Sequence, residues 1–369
     1  MREQFGVTVG VHNVSLKIDR GEIFVLMGLS GSGKSTLLRL LNRLHDPSRG
    51  RVLVGGEDMT ALPKRALIAF RRRHFGGMVF QHFAILPDRT TLQNVAFGLE
   101  LQGVPRKQRL ERAREVIAQV GLEGYEDAKP GALSGGMRQR VGLARSLVLD
   151  ADILLMDEPF SALDPLIRRE LQDELLDLQR RVQKTIIFVT HDLAEALKLG
   201  DRIAVLKDGE LQQLGTPRQI VDKPASDYVR AFVQDVDRSA VLTAQDVMQP
   251  VVHTAHPKDK ARAVLETMRQ QNLASLFVTD SGGTLQGQVD VSALADAAFT
   301  PVQSLARPAT TVSPDTSLRA VMQVLAADTG PVAVTDDNGR LLGSIRPGAV
   351  ITALVGLEPT PLPKLALRK

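Results

Sequence analysis

The sequence has 369 residues, which is too long for one ordinary core and too short for three full-sized ones. We therefore predict two domains. Hydrophobic residues make up 43% and charged residues 24% of the chain, which is typical of a soluble globular protein and excludes wholesale disorder. The net charge of +4 comes from interleaved acids and bases, so a nucleic-acid partner is not expected.

The sequence pattern predicts neither a membrane span nor a secretory signal. No apolar run approaches the ~20 residues that a membrane helix requires. Residues 1–6 have neither the apolar stretch nor the cleavage site of a signal peptide, so a cytoplasmic location is expected. The chain contains no cysteine, which excludes disulfides and thiolate metal sites.

The first predicted elements are an apolar strand over residues 21–27, a glycine-rich loop, and a helix from Ser35 with leucines at helical spacing. The loop reads G-L-S-G-S-G-K-S and satisfies the pattern G-x-x-x-x-G-K-[ST] in full. In such a loop the backbone N–H groups converge on phosphate oxygens. A flexible glycine turn is the alternative, but the flanking strand and helix favour a phosphate site.

Each residue type in this loop has a chemical role. The Lys34 ammonium would lie near the β- and γ-phosphates, and the Ser35 hydroxyl would bind Mg²⁺. The predicted phosphate-binding residues are Gly28, Ser30, Gly31, Ser32, Gly33, Lys34, Ser35 and Thr36.

A helical pattern follows over about residues 88–148, which predicts an inserted helical subdomain. Strand signals resume at residues 153–156, 186–189 and 203–206, with a helix around residues 168–179 between the first two. Alternation of strands and helices predicts a mostly parallel sheet.

Two acids, Asp157 and Glu158, stand at the end of the first of these strands. A carboxylate there can hold Mg²⁺ through water, and its neighbour can polarise an attacking water molecule. Such a pair alone is more often a strand end with solvated acids. Beside a phosphate loop it predicts a hydrolytic centre, with Asp157 at the metal and Glu158 as the base.

The last third of the chain contains an internal repeat. Thr254, Pro257 and Arg262 recur as Thr311, Pro314 and Arg319, and the residues around Val278 recur around Val334. Each unit is too small to bury a core alone, so the two should pack together.

The segment L-S-G-G-M-R-Q-R over residues 133–140 resembles the signature sequence of ABC ATPases. Ser134, Gly135 and Gly136 begin a helix, and their amides would form a second anion site. The resemblance implies that this segment, with Gln139, caps the γ-phosphate bound by a partner chain. Since each chain has one copy, it also implies a homodimer that encloses two ATP molecules.

Three further positions match ABC ATPases in the order the family keeps. By resemblance, Gln81 senses Mg²⁺ and the membrane partner, Asp164 links the two nucleotide sites, and His191 contacts the γ-phosphate. The predicted catalytic residues are therefore Lys34, Gln81, Glu158 and His191. The predicted Mg²⁺ ligands are Ser35, Gln81 and Asp157.

Phe5 stands at the distance before residues 21–22 where the family usually keeps an aromatic side chain that stacks on adenine. The resemblance implies that role for Phe5. A side chain that only packs at the edge of the core is the alternative.

Residues 28–34, 78–87 and 160–168 look like the ATPases of glycine betaine/proline betaine importers, and the C-terminal third is similar to their tandem of CBS domains. The implied fold class is α/β: a P-loop NTPase domain of the ABC type with an inserted helical subdomain, followed by an α/β tandem CBS pair. We expect residues 1–232 to form the ATP-binding domain and 233–242 a linker. The CBS repeats are then expected at 243–298 and 302–357.

CBS tandems often bind adenine nucleotides through an Asp that follows the last strand of a repeat. Ala293 and Ala349 occupy that place here. We therefore expect a regulatory role through ionic strength or another ligand. A pair that serves only dimerisation is the alternative.

The resemblance implies an ATP- and Mg²⁺-dependent subunit that energises import of glycine betaine-type osmoprotectants. Its implied partners are a membrane permease and an extracytoplasmic solute-binding protein or domain, and its place is the cytoplasmic face of the inner membrane. An importer of another small solute is the alternative. A soluble ABC ATPase that acts on nucleic acid or ribosomes is a second one, although such proteins typically fuse two motor halves or insert long coiled coils.

Overall fold

The structure is a computed structural model that describes residues 9–80, 84–234, 236–295, 297, 299–327 and 330–355. Phe5 and Gln81, two of the predicted site residues, lie outside these ranges. The chain divides into two compact units, Met1–Val236 and Asp237–Lys369.

A six-stranded sheet is the centre of the first unit. Its strands are β1 Ile23–Met27, β4 Phe75–Phe80, β5 Ile153–Asp157, β6 Thr185–Thr190, β7 Arg202–Lys207 and β8 Glu210–Gly215. They lie in the order β4-β5-β6-β1-β7-β8. All neighbouring pairs are parallel except β7 and β8. A separate antiparallel pair is formed by β2 Leu53–Val54 and β3 Glu57–Asp58.

Helices cover both faces of the sheet, which explains why every side chain of β1 and β6 is buried. The helices are α1 Lys34–Leu41, α2 Lys64–His74, α3 Thr91–Leu101, α4 Arg106–Gln119, α5 Gly135–Leu147, α6 Pro165–Val182, α7 Leu193–Leu199, α8 Pro217–Asp222 and α9 Asp227–Val233. Short 3₁₀ turns occupy Met59–Ala61 and Pro130–Ala132.

The inserted helices α3, α4 and α5 pack on one another, and α5 also packs on β4. Helix α3 begins with a capping box, in which Thr90 accepts from the Gln93 backbone and Gln93 accepts from Thr90. The α/β fold predicted from the sequence, with helices inserted between β4 and β5, is confirmed.

The register of the parallel strands brings their carboxyl ends to one edge of the sheet. Met27 lies opposite Thr190, and Asp157 lies opposite Val189. The glycine loop, the two acids and His191 each follow one of these strand ends, so the fold gathers them at one place. Ligands of open α/β sheets bind at this edge.

The second unit contains the two repeats. Its strands are β9 Thr254–Ala255, β10 Ser275–Thr279, β11 Leu285–Asp290, β12 Thr311–Val312, β13 Val332–Thr335 and β14 Leu341–Ile345. They form two three-stranded sheets, β11-β10-β9 and β12-β13-β14. The helices are α10 Ala244–Val247, α11 Ala261–Gln270, α12 Val291–Ala295, α13 Leu318–Ala327 and α14 Pro347–Val355, with 3₁₀ turns at Arg238–Ala240 and Val302–Ser304.

The hydrophobic core of each repeat includes residues from outside that repeat's own strands and helices. Leu242 and Val247, which precede the first repeat's strands, are buried in the core of the second repeat. Val302 and Leu305, which follow the first repeat's last helix, pack in the core of the first. The core of each repeat is therefore completed by residues that lie next to the other repeat in the sequence.

A search of the described helices for one long and apolar enough to cross a bilayer found none.

Candidate functional site

The glycine loop is shaped by positions that admit no side chain. Gly33 has φ +95°, and a Cβ there would overlap the carbonyl oxygen of Gly10. A Cβ on Gly28 would overlap the carbonyl oxygen of Leu206. Only glycine fits at positions 28 and 33, which are the two glycines that the motif G-x-x-x-x-G-K-[ST] requires. The loop comprises Gly28, Leu29, Ser30, Gly31, Ser32 and Gly33, and the first turn of α1 begins with Lys34, Ser35 and Thr36.

The loop offers donors that suit phosphate oxygens. Gly33 is the N-cap of α1 and provides no side-chain acceptor, so the first N–H groups of the helix face the loop. The Ser32 hydroxyl is buried and has no hydrogen-bond partner within the described part of the chain. A buried unpaired hydroxyl is costly, and a phosphate oxygen would satisfy it.

The Lys34 side chain is only 5% exposed. Its ammonium donates to the Leu29 carbonyl at 3.0 Å and lies 3.9 Å from Glu158 Oε1. Burial lowers the pKa of Lys34, whereas the charges of Glu158 and Asp157 raise it. A cation in these surroundings would gain strongly from an anionic ligand.

Ser35 and Asp157 form the candidate metal site. The Ser35 hydroxyl donates to Asp157 Oδ1 at 2.8 Å, and the Arg39 guanidinium lies 3.9 Å from Asp157 Oδ2. Hydroxyl and carboxylate oxygens are the ligands that Mg²⁺ prefers, with the remaining positions filled by phosphate and water. Among the residues that the structure describes, no cluster of three or more His, Cys, Asp or Glu side chains suits a metal. The Ser35 hydroxyl and the Asp157 carboxylate are oxygen donors of the kind that suits Mg²⁺.

Glu158 follows Asp157 in a left-handed conformation, with φ +48°. Its N–H donates to the Val189 carbonyl at 3.0 Å, and its own carbonyl accepts from the Ser161 hydroxyl at 2.9 Å. A non-glycine residue held in this region by its neighbours is typical of functional sites. These hydrogen bonds fix the main chain of Glu158 at the end of β5.

The carboxylate of Glu158 meets His191 across the sheet edge. His191 Nδ1 lies 3.0 Å from Glu158 Oε2, and the imidazole is 54% exposed. A carboxylate can only accept here, so Nδ1 carries the proton in this pair. The Nε2 atom of His191 is then available to contact a ligand.

The predicted signature segment lies at the start of α5. Ser134 is the N-cap, and its hydroxyl accepts from the Met137 N–H at 3.2 Å. Ser134 is exposed, and Gly135 and Gly136 are partly exposed. A Cβ on Gly136 would lie 2.8 Å from Ile167 Cγ2, so the glycine lets α5 approach α6 closely.

Gln139 and Asp164 lie near this segment but in different surroundings. Gln139 is only 3% exposed, which places it behind the surface of the motif. Its role as a nucleotide ligand stays a prediction. Asp164 is the exposed N-cap of α6, where its carboxylate accepts from the N–H groups of Leu166 and Ile167.

Two separate groups of predicted residues therefore emerge. Lys34, Ser35, Asp157, Glu158 and His191 converge at the ends of β1, β5 and β6. The signature residues and Asp164 lie on α5 and at the start of α6.

Sequence reasoning missed a buried carboxylate that contacts the residue before His191. Glu195 in α7 accepts hydrogen bonds from Thr190 and Gln172. The only available signal was an acid in the first turn of a helix, which is too common to single out.

Comparison with known families agrees with this geometry. The family model described as ABC transporter matches residues 11–161, and the CBS domain model matches residues 244–299 and 302–356.

Several characterised relatives are similar along most of the chain. The glycine betaine/carnitine transport ATP-binding protein GbuA of Listeria monocytogenes is 48% identical over 360 residues, which cover 96% of this chain and 90% of that protein. The glycine betaine/proline betaine transport system ATP-binding protein ProV of Escherichia coli is 44% identical, covering 95% and 89%. The trimethylamine N-oxide transport system ATP-binding protein TmoW of Ruegeria pomeroyi is 51% identical, covering 75% and 79%.

Solved structures of similar fold are ATP-binding cassettes. The dimeric post-hydrolysis structure of the cassette MJ0796 bound to ADP and Pi has a TM-score of 0.52 and 36% identity, covering 57% of this chain and 92% of that one. Another dimeric structure of the same bacterial ABC transporter cassette has a TM-score of 0.54 and 35% identity, covering 59% and 95%. The family resemblance expected from the motifs is thus confirmed, and the chain belongs to the ATP-binding proteins of ABC transporters as an ABC-type ATPase with a tandem of CBS domains.

Proposed function

We propose that this chain hydrolyses ATP to drive import of glycine betaine and related methylated amines through a separate membrane permease. The observation that carries the motor role is the convergence of Lys34, Ser35, Asp157, Glu158 and His191 at one sheet edge. The solute is supported by relatives at 44–48% identity over 95–96% of the chain, whose names specify betaine transport.

The loop and Lys34 bind and orient the phosphates of ATP in this proposal. Ser35 and Asp157 would hold Mg²⁺, which neutralises charge on the phosphate oxygens when it is bound. Lys34 is already desolvated in the loop, so its attraction to the phosphates is screened less than it would be in water.

Glu158 is the proposed general base. Its main chain is held by hydrogen bonds to Val189 and Ser161, its carboxylate contacts His191, and that carboxylate would accept a hydrogen bond from the attacking water. His191 holds Glu158 through Nδ1 and would meet the γ-phosphate through Nε2. The two side chains would thus orient the water and the phosphorus centre relative to each other.

The signature segment supports a homodimer with shared nucleotide sites. Its exposed Ser134 cap and adjoining glycines would present amides outward to an anion. The dimeric state of the similar cassette MJ0796 supports a dimer of this chain. We propose that each site combines the glycine loop of one chain with the signature segment of its partner, and that Asp164, at the start of α6, links the two sites.

The permease, an extracytoplasmic solute-binding protein and a peripheral position at the cytoplasmic face of the inner membrane complete the proposal. Relatives named for betaine transport support all three. A trimethylamine N-oxide solute is a second candidate, because a relative named for that transport is 51% identical over 277 residues.

The CBS tandem is the proposed regulatory part. Ala293 lies in α12 and Ala349 in α14, each in the helix that follows the last strand of its repeat. Neither can supply a carboxylate to a ribose. Ionic strength or a ligand recognised in another way is therefore the proposed signal.

Uptake by proteoliposomes that contain the full transporter tests the proposal. ATP is enclosed, internal salt is raised in steps, and labelled glycine betaine or trimethylamine N-oxide is added outside. We expect betaine uptake that depends on salt and is absent with Glu158→Gln. ATP hydrolysis without uptake of either solute at any salt would discard the solute proposal and leave the ATPase assignment standing.

A further inference from the structure

A buried carboxylate contacts the residue that precedes the histidine of the site. Glu195 in α7 is 5% exposed. Its Oε2 accepts from the Thr190 hydroxyl at 2.6 Å, and its Oε1 accepts from the Gln172 amide at 3.0 Å. Burial raises the pKa of Glu195, while these two hydrogen bonds lower it. A carboxylate is costly to bury, and these two hydrogen bonds offset part of that cost.

These bonds continue to the backbone on both sides of His191. The Thr190 oxygen that donates to Glu195 also accepts from the N–H of Asp192 at 3.0 Å. Asp192 in turn accepts from the N–H groups of Ala194 and Glu195 and so caps α7. The hydroxyl of Thr190 therefore joins the residue before His191 to the backbone N–H of Asp192, the residue after it.

Thr190 and Glu195, the two residues joined by this hydrogen bond, both lie in regular secondary structure. Thr190 is the last residue of β6 and lies opposite Met27 in the register. Glu195 is in the first turn of α7, and Gln172 reaches it from α6. The hydrogen-bonded side chains of Thr190, Glu195 and Gln172 are thus held by one strand and two helices. Little conformational freedom remains to be lost, which favours precise positioning of the neighbouring residue.

We propose that Glu195, acting through the Thr190 hydroxyl, is a positioning residue that keeps the His191 imidazole against Glu158. This rests on the role proposed above for His191. Neither Glu195 nor Thr190 has a hydrogen bond to Glu158 among the contacts of the described residues, so both act through the histidine segment. A merely structural carboxylate would affect stability without a specific effect on the chemical step.

The test compares Thr190→Val, which keeps the shape and removes the hydroxyl, with Thr190→Ser, which keeps the hydroxyl. ATP hydrolysis by the full transporter is measured as kcat and KM. We expect Thr190→Val to lower kcat about tenfold or more, since small displacements at a reacting centre are costly. The KM for ATP should change less than about twofold, and Thr190→Ser should stay near wild type.

A double-mutant cycle with His191→Ala separates positioning from general damage. If Thr190 acts through His191, Thr190→Val has almost no further effect once His191 is removed. Glu195→Gln, which keeps the volume, is the second variant if Thr190→Val does not fold. It should lose kcat several-fold with an unchanged Tm, and only while His191 is present.

Three results would overturn the proposal. One is a wild-type kcat for both Thr190→Val and Glu195→Gln while His191→Ala is strongly impaired, which leaves the proposed function intact. Another is an equal fold-loss with and without His191. A third is full activity of His191→Ala, which removes the proposed role of the histidine as well.

Discussion

The two halves of the proposed nucleotide site differ in how the chain supports them. In the first half, Lys34 and Asp157 are 5% and 8% exposed, and both are held by hydrogen bonds within the chain. In the second half, Ser134 is exposed and its side chain makes the cap bond to Met137. One half is thus organised by its own fold, and the other presents its amides outward.

In the proposed dimer, this difference would let one copy of each motif in each chain serve two nucleotide sites. A half-site that is buried and braced binds nucleotide by itself, because its donors need no rearrangement. An exposed helix N-terminus contributes only when another chain brings an anion to it. Variants of the first half should therefore damage binding or chemistry directly, whereas variants of the second half should damage only the assembled enzyme.

The largest expected effect is that of Glu158→Gln. Removal of the base should lower kcat by about 100-fold or more, because general bases typically contribute that much. ATP binding should persist, since Lys34 and the loop are untouched. Light scattering after addition of ATP should then show an accumulated dimer. Full turnover in this variant would refute the assignment of the base.

Lys34→Ala should have the next largest effect, on binding. The buried ammonium is close to Glu158, so its loss leaves that carboxylate without its cation in a poorly solvated site. We expect the Kd for a fluorescent ATP analogue to rise about tenfold or more. Lys17→Ala, which removes a cation from a side chain that is 85% exposed, is the matched control and should leave Kd unchanged. Equal Kd values for the two variants would contradict the buried half-site.

The smallest effect is expected at Ser134, where stability and function can be separated. Ser134→Ala removes the N-cap of α5, which should cost about 1 kcal/mol and lower the Tm by about 2–4 °C. Ser134→Asp keeps a capping side chain and the Tm, but its charge repels phosphate. Hydrolysis should fall in Ser134→Asp although each chain still binds ATP. Normal hydrolysis by Ser134→Asp would show that the segment never meets a nucleotide.

The proximity of Lys34, Asp157 and His191 could be expected from the sequence because each lies at or after the end of a parallel strand. Asp157 ends β5, His191 follows β6, and Lys34 follows the loop after β1, so the parallel register places all three at one edge of the sheet. The α/β class followed from the same alternation of strands and helices.

Other features depend on packing between distant segments and could not be predicted. Gln139 belongs to the signature motif, yet it faces the interior. Glu195 has no motif, and its role depends on Gln172 from another helix. In the second unit, Leu242 directly precedes the first repeat but is buried in the core of the second repeat. In each case the partner is chosen by tertiary contacts, on which local pattern carries no information.

Mixing two impaired variants tests whether each proposed nucleotide site is built from two chains. Lys34→Ala weakens the loop, and Ser134→Asp weakens the signature segment. In a head-to-tail heterodimer, both defects fall in one site and the other site is intact. We predict that the mixture hydrolyses ATP faster than either variant alone at the same total protein and ATP concentrations. A mixture no more active than its components, with heterodimers demonstrated by two different tags, would contradict a site shared between two chains.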